Sequence, residues 1–269
     1  MKLVKVAAAT LNQTPLDWNG NQHNILSAIE RARAERVGIL CLPELCISGY
    51  GCEDMFLSPS VLEHATDVLA EIVPACQDIV VSVGLPLLHN KAVYNCSALI
   101  ADAKLLGFVA KRALAGDGIH YEPRWFKPWP RHKRTTTHVL GQEVALGDVY
   151  FDVGGVKIGF EICEDAWIAN RPGAELSLDA VDVILNASAS HFAFGKRDVR
   201  RRLVLEGSRA FGVSYVYSNL LGNEAGRAIY DGDAMIATGG KITAAAPRFS
   251  FAEHTLITSV IANSSASSR

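Results

Sequence analysis

The sequence lacks the long apolar run that a membrane-spanning helix needs, about 18 residues or more, because charged or polar residues interrupt every such stretch of its 269 residues. It also lacks an excess of positive charge: 26 Lys and Arg stand against 28 Asp and Glu, for a net charge of −2. Nucleic-acid-binding surfaces are usually basic. The opening segment, MKLVKVAAATLNQ, has no targeting pattern. We therefore expect a cytoplasmic protein that binds neither a membrane nor nucleic acid.

Cysteine is present, but not in the patterns of disulfide scaffolds or zinc sites. The chain has no CxxC pair and no Cys/His cluster with zinc spacing. We expect reduced cysteines, no metal and no cofactor. A Walker A loop and a GxGxxG motif are also absent, which excludes the two commonest nucleotide-binding loops. The six cysteines stand at positions 41, 46, 52, 76, 96 and 163.

The order of hydrophobic patterns predicts alternating strands and helices. The predicted strands are Leu3–Ala9, Gly38–Leu42, Ile79–Leu85 (ended by Pro86), Tyr94–Ile100, Leu105–Lys111, Val149–Val153, Val156–Cys163, Ala180–Leu185, Ser214–Ser218, Ala234–Ile236 and Ile242–Ala245. The predicted helices are Asn19–Glu35, Pro59–Ala75 (with Ser58 as N-cap) and Asp198–Phe211, and Ala115–His138 is predicted to be an irregular loop. This pattern indicates one α/β domain over residues 1–262 and a polar tail at 263–269. We expect a four-layer α-β-β-α sandwich, with two mixed sheets face to face and helices outside.

Three reactive side chains stand at the ends of predicted strands. Cys163 closes Val156–Cys163, Glu44 follows Gly38–Leu42, and Lys111 ends Leu105–Lys111. Open sheets gather their sites at such ends. A thiolate can attack a carbonyl or nitrile carbon, a carboxylate can move protons, and an ammonium can stabilise the oxyanion. We predict that these three residues are catalytic. A thiol at a strand end, near helix amides, can be held exposed and ionised.

The sequence around these residues resembles that of the nitrilase, or carbon–nitrogen hydrolase, superfamily. The segments LCLPELCISGY, VAKRALAGDGIHYEPRWF and IGFEICEDAW are similar to its three motifs and keep their order. The resemblance covers essentially all of residues 3–260. It implies a nitrilase-like fold and a Glu44–Lys111–Cys163 triad that cuts a carbon–nitrogen bond in a small amide.

Three further sequence segments resemble the N-terminal glutaminase domain of glutamine-dependent NAD synthetases, above all their eukaryotic-type branch. SGYGCEDMF, PRWFKPW and NASASH carry this similarity. It implies that glutamine is the substrate and that a cysteine thioester forms. It also implies that Glu122 orients Lys111, and that Ser190 and Lys196 hold the substrate carboxylate. Lysine there replaces the arginine of the bacterial branch, and a lysine gives no bidentate clamp. The full set of implied substrate contacts is Tyr50, Glu122, Glu164, Ser190 and Lys196.

The synthetase half of that family is missing from this sequence. Its ATP loop has the form SGGxDS, which Thr238-Gly239-Gly240-Lys241 does not match. By the resemblance, the ammonia would pass to a synthetase domain or subunit outside residues 1–269. The same resemblance implies a homo-oligomer.

Other functions remain open from the sequence. A stand-alone amidase or nitrilase for another small amide would use the same triad, and a non-catalytic module could retain the fold. A papain-like Cys–His enzyme could use His120, His138 or His191 as its base, but no C-G-x-C-W text surrounds Cys163. A serine hydrolase is disfavoured because no GxSxG motif occurs.

Overall fold

A computed structural model describes residues 2–224 and 226–263. The predicted tail at 263–269 lies outside the described residues, apart from the backbone of Asn263. The protein has an α/β fold with a mixed sheet. The strands are β1 (Lys2–Asn12), β2 (Ile39–Cys41), β3 (Val80–His89), β4 (Ala92–Ala101), β5 (Lys104–Ala110), β6 (Arg134–Val139), β7 (Gln142–Gly147), β8 (Phe151–Val153), β9 (Val156–Phe160), β10 (Val183–Ser188), β11 (Ser214–Glu224), β12 (Ala228–Asp231), β13 (Met235–Thr238), β14 (Lys241–Ala245) and β15 (His254–Asn263). The α-helices are α1 (Trp18–Ala34), α2 (Pro59–Ile72), α3 (Pro172–Leu178) and α4 (Lys196–Ala210).

Eleven of these strands form one hydrogen-bonded path, ordered β6-β7-β5-β4-β3-β2-β1-β11-β10-β9-β8, and β12 to β15 pair with its members or with one another. Strands β1, β2 and β3 run parallel, as do β9, β10 and β11. The two groups meet where β1 pairs with β11 in parallel, through Leu11 with Leu220 and Asn12 with Leu221. Strand β15 runs antiparallel along β1. None of the helices in the described ranges is long and apolar enough to cross a membrane.

Apolar side chains alternate along β1 because successive residues of a strand point to opposite faces. Ala7, Ala9 and Leu11 belong to a cluster with the buried faces of α1 and α2. Val6 and Ala8 belong to a second cluster, which they share with residues of β9, β10 and β13. A third cluster joins the outer faces of β10 and β11 to α3 and α4.

The structure corrects three sequence predictions about these elements. Strand β3 continues through Pro86. Proline has no backbone N–H to donate, but the pairing of β2 with β3 ends at Ser82, so residue 86 has no partner in β2 that would need one. The predicted loop at 115–138 ends in a regular strand, since Arg134–Val139 pairs with Gln142–Gly147 as a hairpin. Ser58 stands at the N-cap of α2, but its side chain does not cap the helix and contacts the Ser60 hydroxyl instead.

The parallel strands bring the carboxyl ends of β2, β5, β9 and β10 to the same end of the molecule. Glu44 follows β2, Lys111 follows β5, and Cys163 follows β9 at the start of a short 3₁₀ helix, Cys163–Ala166. The backbone N–H of Glu44 contacts the carbonyl of Ser188, the last residue of β10, at 3.4 Å. The fold therefore explains how residues far apart in sequence can meet.

Candidate active site

Lys111 lies between two carboxylates in the interior of the protein. Its Nζ donates to Glu44 Oε1 at 2.6 Å and to Glu122 Oε1 at 2.7 Å, and all three side chains are buried. A buried charge is costly unless it is paired, so these contacts support one another. An ammonium has three N–H donors. Within the described ranges two of them serve Glu44 and Glu122, which leaves one for a ligand.

The second oxygen of each carboxylate is fixed by a backbone amide. Glu44 Oε2 accepts from the N–H of Ala189 at 2.9 Å, and Glu122 Oε2 accepts from the N–H of Ala115 at 3.1 Å. Asn95 Nδ2, from β4, also donates to Glu44 Oε1 at 2.8 Å. The orientation of both carboxylates is thus set by elements on either side of Lys111.

Cys163 stands next to this group with a left-handed backbone, at φ 46°. That conformation is uncommon for a residue other than glycine and is often found at functional sites. The expectation of an exposed thiol is wrong, because the residue is only 6% exposed. Burial raises the pKa of the Cys163 thiol to about 12, and the charge of Glu44 adds to the effect. The Lys111 charge and the nearby Ala189 amide act in the opposite direction.

The two partners of the thiol also have shifted pKa values. Burial raises the pKa of Glu44 above its usual range, although Lys111 opposes this. For Lys111, burial alone would lower the pKa, but the charges of Glu122 and Glu44 outweigh it and raise the pKa well above its usual value. These shifts favour a protonated Cys163 thiol, a more basic Glu44 carboxylate and a charged Lys111 ammonium.

Asp165 connects the strand end at Lys111 to the turn that carries Cys163. Its Oδ1 accepts from the backbone N–H groups of Arg112 and Ala113 at 2.9 and 2.7 Å, and its Oδ2 accepts from that of Ile162 at 3.0 Å. Sequence reasoning missed this residue. No local signal distinguished it, because Lys157, Glu161 and Glu164 in the same segment are also charged.

Three of the five predicted substrate contacts line a cavity of about 240 Å³ that Cys163 also lines. Glu164 and Lys196 are half-buried in its wall, and Ser190 is buried. Burial and the nearby Arg200 charge lower the pKa of Lys196. Burial raises the pKa of Glu164. Asp117, His120, Trp167 and His191 also line the cavity.

Tyr50 and Glu122 do not line this cavity. The Tyr50 hydroxyl donates to Glu122 Oε1 at 2.7 Å, so Tyr50 contacts the carboxylate that holds Lys111. Glu122 in turn contacts Lys111 Nζ at 2.7 Å, and its orienting role stays a prediction.

The segment that carries Ser190 is held by a buried arginine that the sequence reasoning did not identify. Arg200, on α4, donates to Ser190 Oγ at 3.2 Å and to the carbonyls of Ser190 and His191 at 2.7 Å. Its charge is balanced by Asp231, at 2.7 Å. Asn219 adds two bonds to the Ser190 backbone. This network fixes the part of the cavity wall that Ser190 and His191 form.

A group of metal-ligand types also occurs away from this site. His132, Asp148 and Glu175 approach one another in the described part of the chain. Their carboxylates are already engaged, because Arg112 contacts both at 3.3 and 3.0 Å and Arg131 contacts Glu175 at 2.5 Å. The group is therefore an ion-pair network.

Comparison with known proteins gives consistent results. The carbon–nitrogen hydrolase family profile matches residues 5–267. The mouse glutamine-dependent NAD(+) synthetase is 36% identical over 269 residues, which cover 96% of this chain and 37% of the mouse protein. The structure of a glutamine-dependent NAD(+) synthetase from Cytophaga hutchinsonii is similar to this one, with a TM-score of 0.91 and 47% sequence identity. The matched region covers 97% of this chain and 43% of the synthetase chain.

An amidase from Nesterenkonia sp. has the same fold, with a TM-score of 0.78 at 18% identity over 96% of this chain and 90% of the amidase. The chain spans less than half the length of the NAD synthetases it matches. The match across nearly all of its own length shows that it belongs to the carbon–nitrogen hydrolase family.

Proposed function

We propose that this chain hydrolyses the side-chain amide of glutamine to glutamate and ammonia through a thioester on Cys163. The observation that carries the proposal is the Lys111 ammonium between Glu44 and Glu122, at 2.6 and 2.7 Å, beside a cavity that Cys163 lines. The three groups supply a nucleophile, a proton acceptor and a positive charge. The membership of the carbon–nitrogen hydrolase family supports the same chemistry.

The first half-reaction begins from a neutral thiol. Sγ of Cys163 attacks the amide carbon while its proton passes to Glu44, whose basicity is increased by burial. The remaining N–H of Lys111 donates to the oxyanion of the tetrahedral intermediate. Glu44 then returns the proton to the leaving nitrogen, and ammonia departs as the thioester forms.

The second half-reaction uses the same groups. Glu44 takes a proton from water, the water oxygen attacks the thioester carbon, and Lys111 again stabilises the oxyanion. The carbon–sulfur bond breaks, the thiol regains a proton from Glu44, and glutamate leaves. Lys111 stays protonated throughout because both flanking carboxylates favour its charged form.

The cavity walls match the two charged groups of an amino acid. Lys196 supplies the positive charge for the α-carboxylate, and Ser190 supplies a hydroxyl nearby. Glu164, on the same cavity, supplies a carboxylate for the α-amino group. These assignments make glutamine a better match than an uncharged amide of the same length.

We further propose that the ammonia is used in NAD synthesis by a synthetase domain or subunit outside residues 1–269. This rests on the similarity to glutamine-dependent NAD(+) synthetases, of which the chain spans about two fifths. We also infer that residues 1–262 form one domain with four layers, α-β-β-α. The three separate apolar clusters support this, since each contains residues from a different pair of neighbouring layers.

A stand-alone amidase is the second candidate. The contacts of Lys111 with Glu44 and Glu122 involve no group that recognises an amino acid, so they would serve any small amide equally.

A substrate panel separates the two candidates. We expect the protein to hydrolyse glutamine in preference to asparagine, butyramide and nitriles, and Lys196→Met to raise KM for glutamine far more than KM for butyramide. Arg209→Met, which removes an exposed arginine from the last turn of α4, is the matched control. Equal efficiency with glutamine and butyramide, unaffected by Lys196→Met, would favour the general amidase.

A further inference from the structure

A continuous chain of polar contacts links the catalytic group to the cavity wall. The Tyr50 hydroxyl lies 2.7 Å from Glu122 Oε1 and 3.1 Å from His120 Nδ1. His120 Nε2 lies 2.9 Å from His191 Nδ1. Lys196 Nζ lies 3.2 Å from the same His191 Nδ1. One end of the chain is therefore the carboxylate that holds Lys111, and the other end is the cation assigned to the substrate carboxylate.

The number of protons in this chain is limited. Burial lowers the pKa of His120 to about 3, with the charges of neighbouring groups adding to the effect, and burial likewise lowers the pKa of His191. Both rings are therefore neutral near pH 7, and a neutral imidazole carries one N–H. The Tyr50 hydroxyl has one proton, and the Lys196 ammonium is a donor only.

One arrangement has Lys196 donating to His191 Nδ1. His191 Nδ1 is then without a proton, and His120 must approach it with Nε2–H. His120 Nδ1 is consequently a bare acceptor that faces Tyr50. The single Tyr50 proton can serve either His120 or Glu122, so one of the two contacts, at 3.1 or 2.7 Å, has no hydrogen between its atoms.

In the opposite arrangement every contact from Glu122 to His191 contains one proton. Tyr50 donates to Glu122, His120 Nδ1–H donates to the Tyr50 oxygen, and His191 Nδ1–H donates to His120 Nε2. The cost falls on Lys196, which now faces an N–H at 3.2 Å and needs another acceptor. A carboxylate in the cavity would supply that acceptor.

We propose that His120 and His191 are positioning residues that couple binding of an anionic group at Lys196 to the hydrogen bonding of Tyr50 with Glu122. An anion draws the Lys196 donor away from His191, the proton of each imidazole moves to Nδ1, and Tyr50 then donates fully to Glu122. The Glu122 carboxylate, and Lys111 with it, is held most firmly when the carboxylate of the substrate is in place. The identity of that anion as an amino acid carboxylate rests on the proposed function.

The tautomers can be tested without any ligand. Nitrogen-15 spectra of labelled histidine side chains distinguish Nδ1–H from Nε2–H, and His120→Asn and His191→Asn assign the two signals. We expect His120 to be the Nε2–H form in the unmodified protein and the Nδ1–H form in Lys196→Met or Lys196→Leu, because neither variant has a donor for His191 Nδ1. An unchanged His120 tautomer in the folded variants would overturn the proposal.

A titration with glutamate then tests the coupling itself. We expect the same change of tautomer in the unmodified protein on glutamate binding, and none with butyramide. Glutamate that binds without changing the tautomer would also overturn the proposal. If the lysine variants switch but glutamate does not bind, the coupling stands and the assignment of glutamine as substrate fails.

Kinetics provide a second readout. His120→Asn should lower kcat for glutamine by about tenfold, the scale of one hydrogen bond, with KM changed less. For butyramide, which has no anionic group to draw Lys196 away from His191, the same substitution should change kcat less, because His120 stays in the Nε2–H form. Equal losses of kcat for glutamine and for butyramide would contradict the coupling.

Discussion

At the scale of single residues, the environment of Cys163 differs from the one that the sequence suggested. A cysteine at a strand end beside helix amides is commonly ionised, but this thiol is buried and lies near two carboxylates as well as Lys111. A neutral thiol beside a basic Glu44 requires proton transfer during the attack. This distinction can be measured through the pH dependence of its reactivity.

Alkylation of Cys163 by iodoacetamide should accelerate with pH and show no plateau. With a pKa of about 12, the thiolate fraction rises roughly tenfold per pH unit below that value. The rate should therefore keep rising between about pH 7 and pH 10. Peptide mapping assigns the modification, with Cys163→Ala as the blank. A plateau near neutral pH would instead mean an ionised thiol and contradict the assigned role of Glu44.

Replacing Glu44 and replacing Lys111 should have different effects on hydrolysis and on alkylation. Glu44→Gln should reduce glutamine hydrolysis by about 10²–10⁴, since it removes acid–base catalysis. Its alkylation rate at a given pH should not fall, because the Glu44 charge raises the pKa of the thiol. Rate constants for hydrolysis and for alkylation of the same samples give this comparison.

Lys111→Met should reduce turnover by about 10²–10³, the usual loss for one oxyanion donor. Its alkylation should be less affected than its turnover, because alkylation forms no oxyanion. Circular dichroism must establish folding first, since the substitution leaves Glu44 and Glu122 without their buried cation. Normal turnover of glutamine by a folded Lys111→Met protein would exclude the oxyanion role.

At the scale of the elements, the periodic parts of the chain were predictable and the long-range parts were not. The alternation of Val156, Ile158 and Phe160 predicted strand β9, and all three lie in one apolar cluster. The sequence did not predict strand β15. It pairs with β1 from the other end of the chain, so no hairpin turn next to it indicates the pairing.

The site shows the same division. Glu44, Lys111 and Cys163 could be selected because each stands where an apolar strand ends in a reactive residue. Asp165, Asn95 and Arg200 could not, because their importance lies in the backbone and side-chain groups they contact at distant positions. From the sequence alone, a polar residue that will be buried cannot be distinguished from one that will be exposed to solvent, because the distinction depends on its contacts in the fold.

Gly84 on β3 provides a test of how the sheet positions Glu44. A methyl group at this glycine would lie 2.3 Å from the Leu45 nitrogen and 2.7 Å from the Pro43 carbonyl oxygen. Gly84→Ala must therefore shift the segment that carries Glu44. We expect a loss of stability of about 1–3 kcal/mol and a loss of activity of about 10²-fold from the displaced carboxylate.

Gly116→Ala is the matched control for Gly84→Ala. It lies in the loop beside the cavity, its backbone is not left-handed, and its added methyl meets only the Pro123 side chain at 3.4 Å. Activity and thermal unfolding of the two variants should be measured together. An active Gly84→Ala protein would mean that the Glu44 segment is not held by close packing on β3.

At the scale of the whole molecule, the chain spans less than half of the NAD synthetases it resembles. Ammonia released without a synthetase would waste glutamine. We therefore expect slow ammonia release from glutamine by this chain alone, and acceleration when a synthetase domain, ATP and the dinucleotide acid substrate are added. Ile119 and His191, near the site, line a second cavity together with Asn223 and Arg227, and a partner that bound there would favour the competent state.

The control for this measurement is the same mixture with the Cys163→Ala chain, which should support no glutamine-dependent synthesis. Rapid hydrolysis by the isolated chain, unchanged by the partner, would favour a free-standing amidase.

The central claim is that Cys163 is the nucleophile for glutamine hydrolysis, and the initial rate of ammonia formation from glutamine tests it most directly. The unmodified protein and Cys76→Ala, which replaces a buried cysteine outside the cavity, should both turn over glutamine, while a folded Cys163→Ala protein should lose essentially all activity. Near-normal ammonia formation by Cys163→Ala would contradict the account.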